Sequence, residues 1–273
     1  MKLKTDNLEH KYADVPLRVK TWVYIILVFV LAISHPLAMK IFISYIGFQV
    51  FLEFIRMFQI KINLIIASLG IGITQFLLLF FLNFENYFLY ALGISLLVIM
   101  LFLIRNSSLK QLSGIVLGLV IALFVFPHLV FLREGILGVK ALVFLVVVTE
   151  LNDVFQYVMG KSFGKRKIMP KISPNKTWAG VVGGVFLTLI LSAILGYFLL
   201  PSPLVVNIVL GLILGISGFF GDIFMSLLKR RTNVKDTGQL LPGHGGLLDR
   251  MDSLIFNLPI FFWVFTVWLK TNL

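Results

Sequence analysis

The sequence predicts an all-α, polytopic integral membrane protein of about nine transmembrane helices with a cytoplasmic N-terminus, and three observations carry that prediction. Of the 273 residues, 59% are hydrophobic and only 13% charged, whereas a soluble domain carries about a quarter charged residues. Mean hydropathy is +1.00, more apolar surface than a soluble fold of this length can hide. The apolar residues also come in runs near the roughly 20 residues that cross a bilayer at about 1.5 Å per helical residue.

The runs fall at 21–35, 36–58, 63–84, 87–104, 109–132, 137–160, 177–199, 204–229 and 254–269. The first is short and meets the second at His35-Pro36, so a single span over both, giving eight in all, is the alternative count. Residues 1–20 are polar and of mixed charge, and read as a cytoplasmic tail; the run after them shows no small-x-small cleavage site followed by a soluble mature domain and reads as the first span. With the N-terminus inside, all of the 24 Lys and Arg except Lys40, Arg133, Lys140 and Lys270 lie in or beside inside segments. That asymmetry selects nine spans and the N-inside orientation. Residues 21–273 form one membrane domain, with N-terminal helices over 21–132 and the chemistry-bearing part over 137–273.

The net charge is +12 and there are no cysteines. Disulfides and thiolate metal sites are therefore excluded. In a soluble chain such a charge would point to nucleic acid; here it follows the inside loops, and the partners it suits are anionic lipid headgroups and nucleotides.

Acidic residues number only 12, and six of them, Glu150, Asp153, Asp222, Asp236, Asp249 and Asp252, lie between 150 and 252. A carboxylate in an apolar span costs a few kcal/mol on insertion scales, so it is paired or functional. An ion pair with Lys229 or Arg250 is the structural alternative. Asp222 and Ser226 share a helix face, and Lys229 and Arg230 continue that helix to its inner end. Lys235 and Asp236 follow. Then Pro242-Gly243-His244-Gly245-Gly246 breaks the helix, and Asp249 and Asp252 stand three apart on the next helical start. The chemistry fits a metal–phosphate site: Mg²⁺ takes one or two carboxylates plus phosphate and water. Asp222 and Asp249 are the first candidates for ligands, with Asp236 and Asp252 next. Lys229, Arg230, Lys235 and Arg250 would neutralise phosphates. The amides of the turn at Gly245 and Gly246 would suit phosphate oxygens. His244 would bond a phosphate or a base, or hold the turn.

A second constellation joins Asp153 and Tyr157, one turn apart, to a basic loop ending in Ser173-Pro174-Asn175-Lys176-Thr177. Pro174 as the first residue of a helix capped by Ser173 would place Lys176 at a helix N-terminus.

With these motifs in hand, the segment 226–252 resembles the signature of the CDP-diacylglycerol synthase (phosphatidate cytidylyltransferase) family. The matching residues are Ser226, Lys229-Arg230, Lys235-Asp236, Gly238, Leu241 to Gly246, Asp249-Arg250 and Asp252, with no spacing error. Gly221-Asp222, the Ser-Pro-Asn-Lys-Thr run and Asp153 with Tyr157 resemble further family elements, and Glu53-Phe54 stands at a plausible place for another. Asn175 stands where Lys is common in the family, and Ala179 where Glu is usual.

The resemblance implies a homodimeric, Mg²⁺-dependent nucleotidyltransferase of the inner membrane with its site facing the cytoplasm and two metal positions. It implies CTP and phosphatidic acid as substrates, and CDP-diacylglycerol and pyrophosphate as products. It also implies that Asp222 and Asp249 hold metal, together with Asp252, and that Asp153, Ser173, Asn175, Lys176, Thr177, Ser226, His244, Gly245, Gly246 and Arg250 meet the substrates. A different lipid phosphate is the nearest alternative, and a transporter with intramembrane acids the more distant one. The Asp-Gly-x-x-Ala-Arg pattern of CDP-alcohol phosphotransferases is absent.

Overall fold

In hydrocarbon every backbone N–H and C=O must be bonded within the chain, which leaves helices as the spanning form for such runs. The computed structural model of the chain describes residues 15–105, 108–241 and 245–272. Among them each apolar run is helical. The helices are α1 (Val15–Ser34), α2 (Pro36–Met57), α3 (Leu64–Phe81), α4 (Phe84–Ile104) and α5 (Leu109–Val120), which continues through a π turn (Ile121–Val125) into α6 (His128–Glu134). Then come α7 (Gly138–Phe163), α8 (Trp178–Leu199), α9 (Leu204–Arg231), the single turn α10 (Leu248–Met251) and α11 (Leu254–Asn272).

The breaks between helices have local causes. The His35 ring accepts a hydrogen bond from the Leu37 amide at 3.1 Å, ahead of Pro36. Asn63, Asn83 and Ser108 accept from the amides of Ile66, Asn86 and Gln111. Each satisfies a donor that a helix start leaves open. Helix α1 begins at Val15, inside the segment read as a tail, because the helix continues past its apolar stretch. Among the described residues seven segments are long and apolar enough to cross a membrane: α2, α3, α4, α5 through α6, α8, α9 and α11. The apolar part of α1, Lys20–Ser34, is shorter, and α7 carries Lys140, Glu150, Asp153 and Lys161.

The all-helical reading has one exception. Strands β1 (Lys167–Met169) and β2 (Ser173–Thr177) form an antiparallel hairpin between α7 and α8, pairing Lys167 with Thr177 and Met169 with Ser173. The predicted helix start at Pro174 is therefore wrong. Thr177, not Ser173, caps α8, accepting from the Gly180 amide at 3.1 Å. The Trp178 amide still bonds back across the hairpin, to the Arg166 carbonyl at 3.1 Å. Lys176 thus projects from a strand.

The most enclosed helices are α2 and the α5–α6 rod. Phe54, Phe126, Phe144 and Phe261 are fully buried, and the rings of Phe144 and Phe261 stack at 5.7 Å. By contrast, α4 exposes Leu89, Tyr90, Leu96, Leu101 and Ile104, an apolar face suited to lipid. Tyr157 and Phe163 on α7 and Trp178 on α8 are exposed around the hairpin, with Lys161 over the Tyr157 ring at 5.8 Å. Aromatic side chains of this kind favour the headgroup level.

Helix α7 packs closely on α8 through small residues. A Cβ added at Gly184 would come within 2.8 Å of the Gln156 backbone. Small residues permit such approaches between membrane helices. We predict that Gly184→Val lowers the unfolding midpoint of the protein in detergent, by the roughly 1–3 kcal/mol typical of overpacking. An unchanged midpoint would contradict the close approach.

Candidate active site

The site grows from the C-terminal parts of α7 and α9, the start of α11 and the loops beside them. A Cβ on Gly221 would come within 2.5 Å of the Asp252 carbonyl, so only glycine lets the 252–253 backbone lie against α9. That contact brings the next residue, Asp222, to the start of α11. Asp222 Oδ2 takes the Lys176 ammonium at 2.6 Å, and its Oδ1 accepts from Ser226 Oγ at 3.3 Å. Lys176 also donates to Gln156 Oε1 at 3.3 Å and lies 5.8 Å from the Phe219 ring centre.

Asp153 and Asp252 complete this cluster. Asp153 Oδ2 accepts from Ser253 Oγ at 2.7 Å, while its Oδ1 is buried with no partner among the described residues. Asp252 accepts from the Ser253 amide at 2.9 Å. Burial, then the Asp222 and Asp153 carboxylates, push the Asp252 carboxyl well above the usual carboxylate range. For Lys176, burial pulls the ammonium down, but Asp222 and Asp153 together outweigh it and hold its pKa above the usual lysine value. The cluster is short of positive charge.

A second cluster lies beside it. Lys229 Nζ meets Asp249 Oδ1 at 2.7 Å. Asp249 Oδ2 accepts from the amides of Thr237 at 2.8 Å and Gly246 at 2.9 Å. Lys229 also acts on Asp252, so the two clusters share the α10 turn. The anticipated Lys229 ion pair is real, and Asp249 additionally folds the loop.

That loop is pinned from below by a residue the sequence reading did not assign to the site. Glu53 on α2 is fully buried. Its carboxylate accepts from Thr237 Oγ1 at 2.6 Å, from the amides of Leu247 at 2.7 Å and Leu248 at 3.0 Å, and from Gln49 Nε2 at 3.1 Å. Thr237 Oγ1 also lies 3.1 Å from Asp249 Oδ2; its single proton belongs to the shorter contact, with Glu53. The signal for Glu53 was in the sequence: an acid inside an apolar run, the same rule that singled out Asp222.

The other predicted residues fall as follows. Ser173 is half-buried and Asn175 exposed on β2, while Thr177 is buried as the α8 cap. Arg230 Nε reaches the Ile172 carbonyl at 3.4 Å, tying α9 to the hairpin. Lys235 and Asp236 are exposed. Arg250 lies within Coulombic reach of Glu150. His244 lies outside the described residues. Gly245 adopts φ +83°, the left-handed conformation that glycine allows without penalty. The expectation that the turn offers bare amides to phosphate needs correction at Gly246. Its amide, like those of Leu247 and Leu248, is already taken by a carboxylate, because a loop buried on Glu53 must satisfy its own donors.

The donor set fits a divalent cation. Hard oxygen ligands are present, one buried Asp153 oxygen is unsatisfied, and the cluster carries surplus negative charge. Among the described residues no three acidic or imidazole side chains form a ready metal cage. Mg²⁺ needs none, since it completes its shell with phosphate and water. Asp222, with Asp153 and Asp252 about it, offers carboxylate oxygens to such an ion, whereas both oxygens of Asp249 are taken, by Lys229 and by the amides of Thr237 and Gly246.

Fold and site together define a polytopic membrane protein with a carboxylate–lysine centre at one end of its helix bundle. The model of the cytidylyltransferase family matches residues 16–268, and the chain belongs to that family. It is 40% identical over 266 residues to the uncharacterized protein YnbB of Escherichia coli, covering 93% of this chain and 88% of that one. It is 33% identical over 265 residues to the phosphatidate cytidylyltransferase of Bacillus subtilis, covering 92% and 97% respectively. The enzyme of that name from Chlamydia pneumoniae is 40% identical over 179 residues, 59% of this chain and 57% of its own.

Glu53→Gln puts an amide where three loop donors need an anion. We predict a loss of about 1–3 kcal/mol, read as a lower unfolding midpoint and faster proteolysis within 232–248. Wild-type proteolysis of that loop would contradict the pinning role.

Proposed function

We propose that the chain is a phosphatidate cytidylyltransferase: it transfers CMP from CTP to phosphatidic acid, giving CDP-diacylglycerol and pyrophosphate. Membership of the cytidylyltransferase family and the near full-length similarity to the Bacillus subtilis enzyme support the activity. The observation that carries the chemistry is the adjacency of two lysine–carboxylate pairs, Lys176 with Asp222 and Lys229 with Asp249. We further propose nine spans with the N-terminus inside, a site facing the cytoplasm of the inner membrane, and a homodimer. Charge asymmetry between loops supports the orientation, and the family signature supports the rest.

The reaction forms a bond between a phosphatidate oxygen and the α-phosphorus of CTP, and breaks the bond from that phosphorus to the pyrophosphate oxygen. The nucleophile is already anionic near neutral pH, because a phosphate monoester has its second pKa near about 6. No general base is needed, and none of the relays that activate hydroxyls or thiols is called for. The obstacle is repulsion between polyanions, so catalysis reduces to positioning and charge neutralisation. Lys176 and Lys229 are held in place by their carboxylates, ready to turn toward phosphate oxygens. Arg230 and the hairpin flank the entry from the lipid side. When bound at Asp222, Asp249 and Asp252, magnesium supplies Lewis-acid neutralisation of phosphate charge, at one or two positions. The acyl chains remain in the bilayer while the headgroup reaches Lys176.

The test is purified protein in mixed micelles with CTP, Mg²⁺ and a panel of lipid phosphates, with released pyrophosphate as readout. Phosphatidic acid is expected to be the preferred acceptor. No CDP-lipid with it would overturn the reading, and preference for another lipid phosphate would redirect it to the positions Asn175 and Ala179 around Lys176. Asp222→Asn and Asp249→Asn should each lower turnover at least about a hundredfold while the protein still inserts; near-normal turnover at saturating Mg²⁺ would remove that residue from the metal site. Chelation should abolish turnover and added Mg²⁺ restore it. Lys176→Ala should raise the KM for one or both substrates, and unchanged values for both would refute its contact with phosphate.

A further inference from the structure

A cleft of about 400 Å³ opens beside the second cluster, lined by Arg56, Lys235, Asp236, Gly238 and Gln239. Arg56 comes from the end of α2, three residues beyond Glu53, and so on the same face of that helix. The wall opposite is the loop that Glu53 and Asp249 pin. Asp236 immediately precedes Thr237, whose amide is bonded to Asp249. A Cβ on Gly238 would stand 3.1 Å from Glu53 Oε1. The cleft is therefore one residue away from a carboxylate of the site, and its shape is fixed by the same hydrogen bonds.

Arg56 and Lys235 are both exposed, and among the described residues neither side chain has an ion-pair or hydrogen-bond partner. With Asp236 as the one acid, the lining is net positive. A guanidinium fork and a mobile ammonium across a cleft of this size suit a phosphate-bearing anion. Two such anions belong to the proposed reaction, on which this inference rests: the lipid phosphate and the pyrophosphate end of CTP. In-line displacement places attacking and leaving oxygens on opposite sides of the α-phosphorus. The Lys176–Asp222 pair belongs to the cluster that the hairpin touches, and the Arg56–Lys235 cleft borders the loop of the other cluster, that of Asp249.

We infer that the cleft between Arg56 and Lys235 is the subsite for the β- and γ-phosphates of CTP, and holds pyrophosphate before it departs. The Arg56 side chain, from the otherwise apolar N-terminal half, is then a substrate-binding group of the transfer reaction. The lipid phosphate enters from the Lys176 side.

The experiment is direct titration of magnesium pyrophosphate into detergent-solubilised wild-type, Arg56→Ala, Arg56→Lys and Lys235→Ala protein. Product inhibition and the KM for each substrate are measured alongside. Arg56→Ala and Lys235→Ala should each weaken pyrophosphate binding by about tenfold or more, with partial recovery in Arg56→Lys. The KM for CTP should rise and that for phosphatidic acid stay unchanged. Because Arg56 is exposed, unfolding midpoints should match wild type. Unaltered pyrophosphate affinity would overturn the inference, as would a rise confined to the phosphatidate KM, which would give the cleft to the lipid. The titration does not depend on turnover, so an absence of CDP-lipid synthesis counts against the proposed function and leaves the cleft to be judged by binding.

Discussion

A single buried carboxylate holds the site together. Glu53 is the acceptor for a hydroxyl, two loop amides and a glutamine side chain. Without it, Thr237, Leu247 and Leu248 would present unsatisfied donors to the interior, at about 1–3 kcal/mol each. Because Thr237 is also tied to Asp249, and Asp249 to Lys229, the anchor reaches the reacting centre within three contacts. The N-terminal helices thus contribute more than apolar bulk: α2 serves as the floor of a loop whose chemistry is encoded nearly two hundred residues later.

Electrostatic frustration runs through the rest. Asp153, Asp222 and Asp252 lie about Lys176, and Asp252 resists ionisation because it is buried and stands near the Asp222 and Asp153 carboxylates. Such an arrangement is poor at stabilising a fold, since buried charges lose hydration that pairing only partly returns. It suits a catalyst whose incoming ligands are polyanions accompanied by cations. Under the proposed function each lysine would exchange a carboxylate for a phosphate as substrates arrive, and the freed carboxylates would suit the accompanying cations.

Much of this was legible in the sequence. The apolar runs identify every long helix, because hydrocarbon leaves backbone groups no alternative. Gapped spacing identifies Asp222, Lys229 and Asp249 as a group, and the structure brings them to one end of the bundle. The hairpin was not legible. Ser173-Pro174 matches a helix start in isolation, and only the pairing with 167–169, a contact between segments, reassigns the cap to Thr177. The role of Gly246 was misread for a related reason. Glycine-rich turns bind anions with bare amides or fold onto internal acceptors, and which applies depends on a partner in another helix. Glu53 could have been found by the rule already used for Asp222; what the sequence lacked was its destination.

Tyr157, Phe163 and Trp178, all exposed, stand on the helices that flank the hairpin carrying Lys176. Aromatic side chains at the water–hydrocarbon boundary fix how deep a protein floats, and under the proposed function these three would set the depth of the hairpin that carries Lys176. On that proposal a phosphatidate headgroup would meet the centre without being lifted from its leaflet. Bilayer thickness then becomes a determinant of turnover: a host membrane mismatched to the helices displaces the glycerophosphate from its cations even though no side chain in the protein has changed.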